Sequence, residues 1–342
     1  MHLLNTLYVT TPESYVHLDN HTLRVEVAKE TRLRVPLHHL GALVCFGHVS
    51  VSLPLMHHLA DEGIALVLLD AHGRFKARLE GPVSGNVLLR QAQHRLAGDS
   101  AFALGVARNC IAGKVRNCRQ VLLRGSREAK TTDDAALLTR GAADLAATLR
   151  ALPDAGDLDT LRGLEGEAAR QYFAALNLLV RANARESFQM DGRTRRPPRD
   201  RMNALLSFVY ALLMNDCRSA VEAAGLDPQI GFLHAVRPGR AALALDLMEE
   251  FRAFADRLVL SLINRGQIGP GDFVAREGGA VQLEGDARKA VLVAYQERKQ
   301  ETLSHPLLVE PVPFGLLAHI QARLMARTLR GDTEEYLPYL VR

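Results

Sequence analysis

The chain has 342 residues, 48% of them hydrophobic and 23% charged, with a net charge of +4; that length exceeds what one core usually holds and implies two globular domains. Its four scattered cysteines (Cys45, Cys110, Cys118, Cys217) form no C-x-x-C pair, which argues against a zinc ribbon or disulfide scaffold and fits a reducing cytoplasm. The start, Met1-His-Leu-Leu-Asn-Thr-Leu-Tyr8, is unlike a signal peptide and no run of about 18 apolar residues occurs, so a soluble cytoplasmic protein with no membrane segment is expected, its mild basicity permitting a nucleic-acid partner.

In chain order, the first part reads as short strands. Thr6–Thr10, Tyr15–Leu18, Leu23–Val27 and Arg32–Val35 alternate or are β-branched, and Pro12, Asp19-Asn20 and Lys29-Glu30 punctuate them. Ala42–Phe46 and Val49–Val51 continue the pattern. A short helix is expected over Pro54–Glu62, a buried strand over Ile64–Leu69 and an exposed one over Arg74–Arg78. Seven histidines between His17 and His58 resemble metal ligands, but no two stand in a recognised ligand spacing, and surface histidines are the expected reading.

Past Gly81-Pro82 the period changes to that of helices, which places a boundary between residues 1–82 and 83–342. The fold class expected is α+β in two domains, a small β-sandwich-like domain followed by a larger all-α domain. Helices are predicted over Asn86–Leu96, Ala101–Leu123 (with Lys114, Arg116 and Arg119) and Ala129–Leu152. Such basic helix faces are commonly just solvated, and DNA contact is the other possibility.

The next helix carries Leu161, Ala168, Tyr172, Leu176 and Leu179 on one stripe, with Glu165 inside that stripe and Glu167 opposite. An inward carboxylate costs several kcal/mol unless paired, protonated or bound to a cation. A Glu–Arg or Glu–His pair would satisfy it as well as a metal would. The loop over 181–201 holds seven arginines against three acids, and Gly192 and Pro197-Pro198 keep its middle out of a helix. Arg193, Arg195, Arg196, Arg199 and Arg201 are candidates for phosphate contact, a plain surface linker being the alternative. Met202–Val221 reads as a helix with Asn203 and Tyr210 on one face. After the turn Asp227–His234, one long helix is expected over Ala241–Asn264. Its Asp246 and Glu249 project opposite the apolar stripe, a solvated face or a cation site. Glu165, His234, Asp246 and Glu249 together would be an oxygen-rich donor set with one imidazole, suited to Mn2+ or Mg2+.

Three stretches then carry a resemblance. Gly163-Leu-Glu-Gly-Glu-Ala-Ala-Arg-Gln-Tyr-Phe173, Arg196–Tyr210 and Gly231-Phe-Leu-His with Leu245-Asp-Leu-Met-Glu-Glu-Phe-Arg252 are similar, in order, to signatures of the CRISPR-associated integrase. That family is the endonuclease of the spacer-acquisition module, and the pattern is nearest to type I-C members. The resemblance implies a metal-dependent DNA endonuclease and integrase, with Mn2+ or Mg2+ held by Glu165, His234 and Glu249, and Asp246 beside them or in place of Glu249. Asn203 and Tyr210 match motif positions and, with Tyr172, are expected to line the site. The implied reaction is attack by the 3′-hydroxyl of a captured DNA fragment on a phosphodiester of the CRISPR repeat. The implied assembly is a homodimer formed through residues 1–82, joined with a second CRISPR-associated protein in a heterohexameric complex on double-stranded DNA. A metal-dependent nuclease without integrase activity and a non-catalytic DNA-binding scaffold are the alternatives.

Overall fold

The alternating apolar residues of the first part build strands, and the later 3.6-residue period builds helices. The computed structural model describes residues 5–71, 73, 75–79, 81, 86–194 and 197–341. Its contacts divide into two units, Met1–Ser84 with Glu284–Gln300, and Gly85–Leu283 with Glu301–Arg342.

The first unit begins β1 (Asn5–Val9), β2 (Ser14–Asp19), β3 (Thr22–Val27), β4 (Glu30–Pro36), β5 (Leu40–Phe46), β6 (Val49–Val51), α1 (Leu53–Asp61), β7 (Ala65–Leu69) and β8 (Phe75–Leu79). Among the described residues these strands form two four-stranded sheets, ordered β1-β5-β7-β8 and β4-β3-β2-β6. β1, β5 and β7 run parallel, with Leu43 between Leu7 and Leu66, and β8 closes that sheet antiparallel. The second sheet is a meander of β2, β3 and β4, with β6 parallel to β2. Val9, Val16, Leu23, Leu43, Leu55, Leu59 and Leu66 pack into one shared core, so the alternation of each strand decides which face it buries. Arg74 of the predicted exposed strand lies outside the described residues.

The second unit contains α2 (Val87–Ala97), α3 (Ser100–Glu128), α4 (Thr132–Ala151), α5 (Leu158–Leu176), α6 (Ala182–Arg185), α7 (Arg201–Ala223), α8 (Ala242–Met248) and α9 (Arg252–Asn264). Two small hairpins, β9 (Phe273–Ala275) with β10 (Val281–Leu283) and β11 (Thr302–Leu303) with β12 (Val312–Pro313), interrupt a part expected to be all helix. Between them α10 (Gly285–Gln300) is grouped with the strands of the first unit, and α11 (Phe314–Arg330) ends the helical part. The expected boundary after residue 82 falls on residues outside those described.

Three features of this unit place the site. First, α3 is buried on most sides, packing against α4, α5 and α9. On another side Gly113 lets the segment after α11 come close: an added Cβ would lie 2.7 Å from Pro338 Cβ. Second, α5 starts cleanly because the N-cap Asp157 accepts from the backbone N–H groups of Asp159 and Thr160, both at 2.8 Å. Third, the single helix predicted over 241–264 is broken by a 3-10 turn at Glu249–Phe251. Phe251 has φ −103° and ψ −5°, which ends the turn, and Glu249 and Glu250 are buried with nearly every residue of α8 before them.

Candidate active site

Glu165 sits on the inner side of α5 as its period predicts, with Leu161, Ala168, Tyr172 and Leu176 buried around it. Its side chain keeps 26% of its exposure and ion-pairs with Lys114 of α3. The same ammonium lies 2.6 Å from Glu249 Oε2. Lys114 is nearly buried, and burial opposes its charge, but Glu249 and Glu165 more than offset that and raise its pKa above the ordinary lysine value. One internal cation therefore joins two carboxylates that are far apart in sequence.

Glu249 is 3% exposed. Its Oε1 accepts from Arg252 Nε at 2.9 Å, with Nη2 at 2.8 Å. Burial pushes its pKa up, yet Arg252 and Lys114 outweigh burial and hold the carboxyl well below the usual range. Oε2, despite the neighbouring ammonium, receives no well-angled hydrogen bond. His234 Nε2 stands 4.0 Å from Glu249 Oε1.

Asp246 is fully buried, which corrects the solvated face expected for it and for Glu249. Its Oδ2 accepts from the N–H groups of Phe232 at 2.6 Å and Leu233 at 3.0 Å, and Oδ1 from that of His234 at 3.0 Å. Oδ1 also lies 2.7 Å from His234 Nδ1. A carboxylate only accepts, so Nδ1 carries a proton, and in the neutral ring Nε2 is the nitrogen with the lone pair, on the side of Glu249. Asp246 is thus spent on the loop and the ring. Glu249 faces Lys114 and Arg252, whereas Asp246 orients the imidazole. Gly231 lets the loop come this close, since a Cβ there would lie 2.7 Å from both Asp246 Oδ2 and the Ala242 carbonyl carbon.

A second buried cluster adjoins the first through Arg252, whose guanidinium lies over the Tyr210 ring at 4.8 Å. Tyr172 and Tyr210 both donate to Asp256 of α9, Tyr172 at 2.9 Å. Burial pushes Asp256 up to about 6 against the lowering effect of the two hydroxyls. Burial and the nearby Asp256 raise both phenols well above their ordinary value. Lys114, Tyr172, Phe173, Tyr210, Arg252 and Asp256 share one narrow cleft. Behind the turn, the buried Glu250 takes hydrogen bonds from Tyr336 OH, Gln321 Nε2 at 2.8 Å and Tyr339 N–H at 2.6 Å. No cation contacts it among the described residues, and burial pushes it up to about 8. It ties the segment following α11 to the turn that carries Glu249.

The arginine loop differs from expectation. Arg193 is turned inward, bonded to Asn203 Oδ1 and placed 5.3 Å from the Tyr210 ring centre. Arg201 donates to the carbonyls of Ser187 and Pro270, at 3.1 and 3.2 Å. Arg199 is exposed. Arg195 and Arg196 lie outside the described residues. Asn203 is a loop organiser: it donates to Gly192 O at 2.9 Å and accepts from Thr194 N–H at 3.1 Å. Lys114, Arg252, Asp256 and Glu250 were not anticipated from the sequence. Among the described residues, no three His, Cys, Asp or Glu side chains already form a group able to hold an ion, because Lys114 stands between the two glutamates. The donor chemistry nonetheless fits a hard cation: two carboxylates, one lacking a good donor, beside an imidazole with a directed Nε2.

Comparison with known proteins adds a family to this geometry. A family model described as CRISPR associated protein Cas1 matches residues 7–297. The chain is 58% identical to a "CRISPR-associated endonuclease Cas1 1" of Moorella thermoacetica over 341 residues, covering 99% of each. Among solved structures it is similar to a "Casposase bound to integration product" (TM-score 0.83, 21% identity, 98% of this chain and 93% of that one). It is also similar to a chain of a "Cas6-RT-Cas1--Cas2 complex" (TM-score 0.82, 24% identity, 98% of this chain and 36% of that longer one). At those identities the two structures establish the shared fold.

Proposed function

This chain belongs to the CRISPR-associated Cas1 family, and from that premise we propose that it is a metal-dependent DNA endonuclease and integrase that inserts captured fragments into a CRISPR array. The observation that carries this reading is that Lys114 joins Glu165 to Glu249 while His234 Nε2 stands 4.0 Å from the same Glu249, with Asp246 fixing the imidazole. Glu165, Glu249 and His234 would hold Mn2+ or Mg2+, which when bound supplies Lewis-acid charge at the scissile phosphate. The residues themselves do the rest. Lys114 and Arg252 keep Glu249 ionised, Asp246 keeps the His234 proton on Nδ1, and the Arg252 guanidinium that holds Glu249 lies over the Tyr210 ring.

In strand transfer a 3′-hydroxyl replaces the leaving 3′-oxygen at phosphorus, so one phosphodiester forms as another breaks and no energy source is needed. The casposase likeness in fold supports, without establishing, this chemistry over simple hydrolysis. Double-stranded DNA is the proposed substrate, with Arg199 among its phosphate contacts. A homodimer and a heterohexameric complex with the second CRISPR-associated protein are the proposed assembly; the similar chain that belongs to a Cas6-RT-Cas1--Cas2 complex supports the second protein as partner. Assignment to the type I-C branch rests on the three sequence motifs.

The test is a Mn2+-dependent assay with a 3′-hydroxyl fragment and a repeat-containing duplex. Glu165→Gln and His234→Ala are expected to lose joined product while still retarding DNA in a gel. Cutting without joining would leave a plain nuclease, and full activity in both variants would leave a scaffold.

A further inference from the structure

Outside the catalytic cluster, α3 and α9 enclose a second cavity of about 310 Å3. Its charged lining is Arg124, Arg127 and Arg257 against one carboxylate, Glu128, with the amides of Asn117 and Gln120 beside them. Glu128 accepts from Arg124 Nε at 2.8 Å, one helical turn away. Arg127 Nε donates to the Leu123 carbonyl at 3.2 Å. Among the described residues no carboxylate is ion-paired with Arg127 or Arg257. Burial lowers the Arg257 pKa, and Arg124 repels its charge further. The cavity therefore has an excess of two positive charges, and its inner wall is formed by the buried Val121, Ala253 and Phe254 with Asn117, whose amide is already bonded to the backbone of Glu250, Tyr339 and Val341.

Cations at the mouth and a mostly apolar wall behind them suit a ligand with one dianionic group and one flat apolar body. A fork of guanidinium donors matches phosphate oxygens in pairs. The volume is at the small end of ligand cavities, roughly 300–1,000 Å3, enough for one nucleotide and too small for a duplex. We propose that this cavity is a phosphate site for a single nucleotide, either free or at the 5′ end of a DNA strand. None of Glu165, His234 and Glu249 lines it, and its occupancy does not depend on the strand-transfer reading.

The test is calorimetric titration of the full chain with dAMP, deoxyadenosine and inorganic phosphate, without divalent metal. dAMP is expected to bind at least tenfold more tightly than deoxyadenosine. Arg257→Gln should weaken dAMP by about tenfold, the scale of one charge-assisted pair. Arg127→Gln, at an exposed position, should weaken it several-fold without touching the fold. Glu128→Gln releases Arg124 and should tighten binding, a gain that a folding defect cannot produce. Equal binding of dAMP and deoxyadenosine, parent affinity in both arginine variants, or weaker binding in Glu128→Gln would each overturn the proposal. So would loss of dAMP binding in Glu165→Gln, which would place the nucleotide in the catalytic cluster. Duplexes with a 5′-phosphate or a 5′-hydroxyl, competed against dAMP, identify the source. A phosphate-dependent advantage supports a DNA end, and equal competition alongside dAMP binding supports a free nucleotide.

Discussion

Replacing Lys114 by methionine keeps a long apolar side chain and removes the one charge shared by Glu165 and Glu249. In the parent, Glu249 has two cationic partners, Lys114 Nζ at 2.6 Å and Arg252 Nη2 at 2.8 Å. Breaking a buried ion pair from one side costs about 3–5 kcal/mol, because the surviving charge stays out of water. Arg252 remains on Oε1 and Glu165 can turn toward solvent, so the lower figure, about 3 kcal/mol, applies here. In a domain of about 150–250 residues each kcal/mol moves Tm by about 2–4 °C, which predicts a loss of about 6–12 °C in EDTA. A divalent ion should reverse most of it. Binding at a hundredfold excess over Kd returns about 2.7 kcal/mol to the folded state. The parent has to give up the Lys114 contacts to admit the same ion and should gain less. Thermal melts of both proteins in EDTA and in Mn2+ measure the two shifts. If the variant melts with the parent in EDTA, or Mn2+ raises both by the same amount, then ammonium and metal do not occupy a common place and the proposed ligand set is wrong.

Other expectations follow from the same contacts. Asp246→Asn keeps the shape of the loop anchor but turns one of its two acceptor oxygens into an NH2 that must face either the Phe232 and Leu233 N–H groups or those of His234. Strand cutting should fall by about 10- to 100-fold with a stability loss of about 1–3 kcal/mol from the unsatisfied donors, and unchanged cutting would remove Asp246 from the site. Gly231→Ala drives a Cβ to 2.7 Å from Asp246 Oδ2, so overpacking of about 1–3 kcal/mol should appear in denaturant melts, and a neutral result would mean the loop has room to move. Asp256, at about 6 in the folded chain against an ordinary 3.8, binds its proton more tightly folded than unfolded; that contribution is complete below the ordinary value and lost as pH rises through about 6, amounting to about 3 kcal/mol by neutral pH. Asp256→Asn should therefore flatten Tm against pH between about 4 and 7 relative to the parent; an unaltered slope would refute the assignment. Arg199→Glu, at an exposed position, should weaken DNA binding and reduce its salt dependence, whereas Arg193→Glu, bonded to Asn203, should chiefly lower Tm; the opposite pattern would reverse the two roles.

The residues legible in the sequence share one property: their helix keeps an undisturbed period. α5 runs unbroken from its Asp157 cap, so counting from Leu161 places Glu165 correctly. A single helix drawn across Asp246 and Glu249 puts both on a wet face. In the structure that stretch has no wet face, because α8 and the 3-10 turn after it bury Leu243, Ala244, Asp246, Leu247, Met248, Glu249 and Glu250 alike, and no glycine or proline announces the turn. Lys114 is a different failure. It stands three residues after Ile111 and four before Cys118, both buried, so the reasoning that singles out Glu165 applies to it equally. A lysine is ordinarily read as solvated because its stem can reach water. Here the ammonium is held between Glu165 and Glu249 instead, and the side chain stays nearly buried. The inward acid on α5 and the inward base on α3 are each expensive alone, and each is tolerated because the other lies across the cleft. A scan for charged residues in phase with apolar stripes, of either sign and on every helix, would find both halves of the pair, though not that they meet.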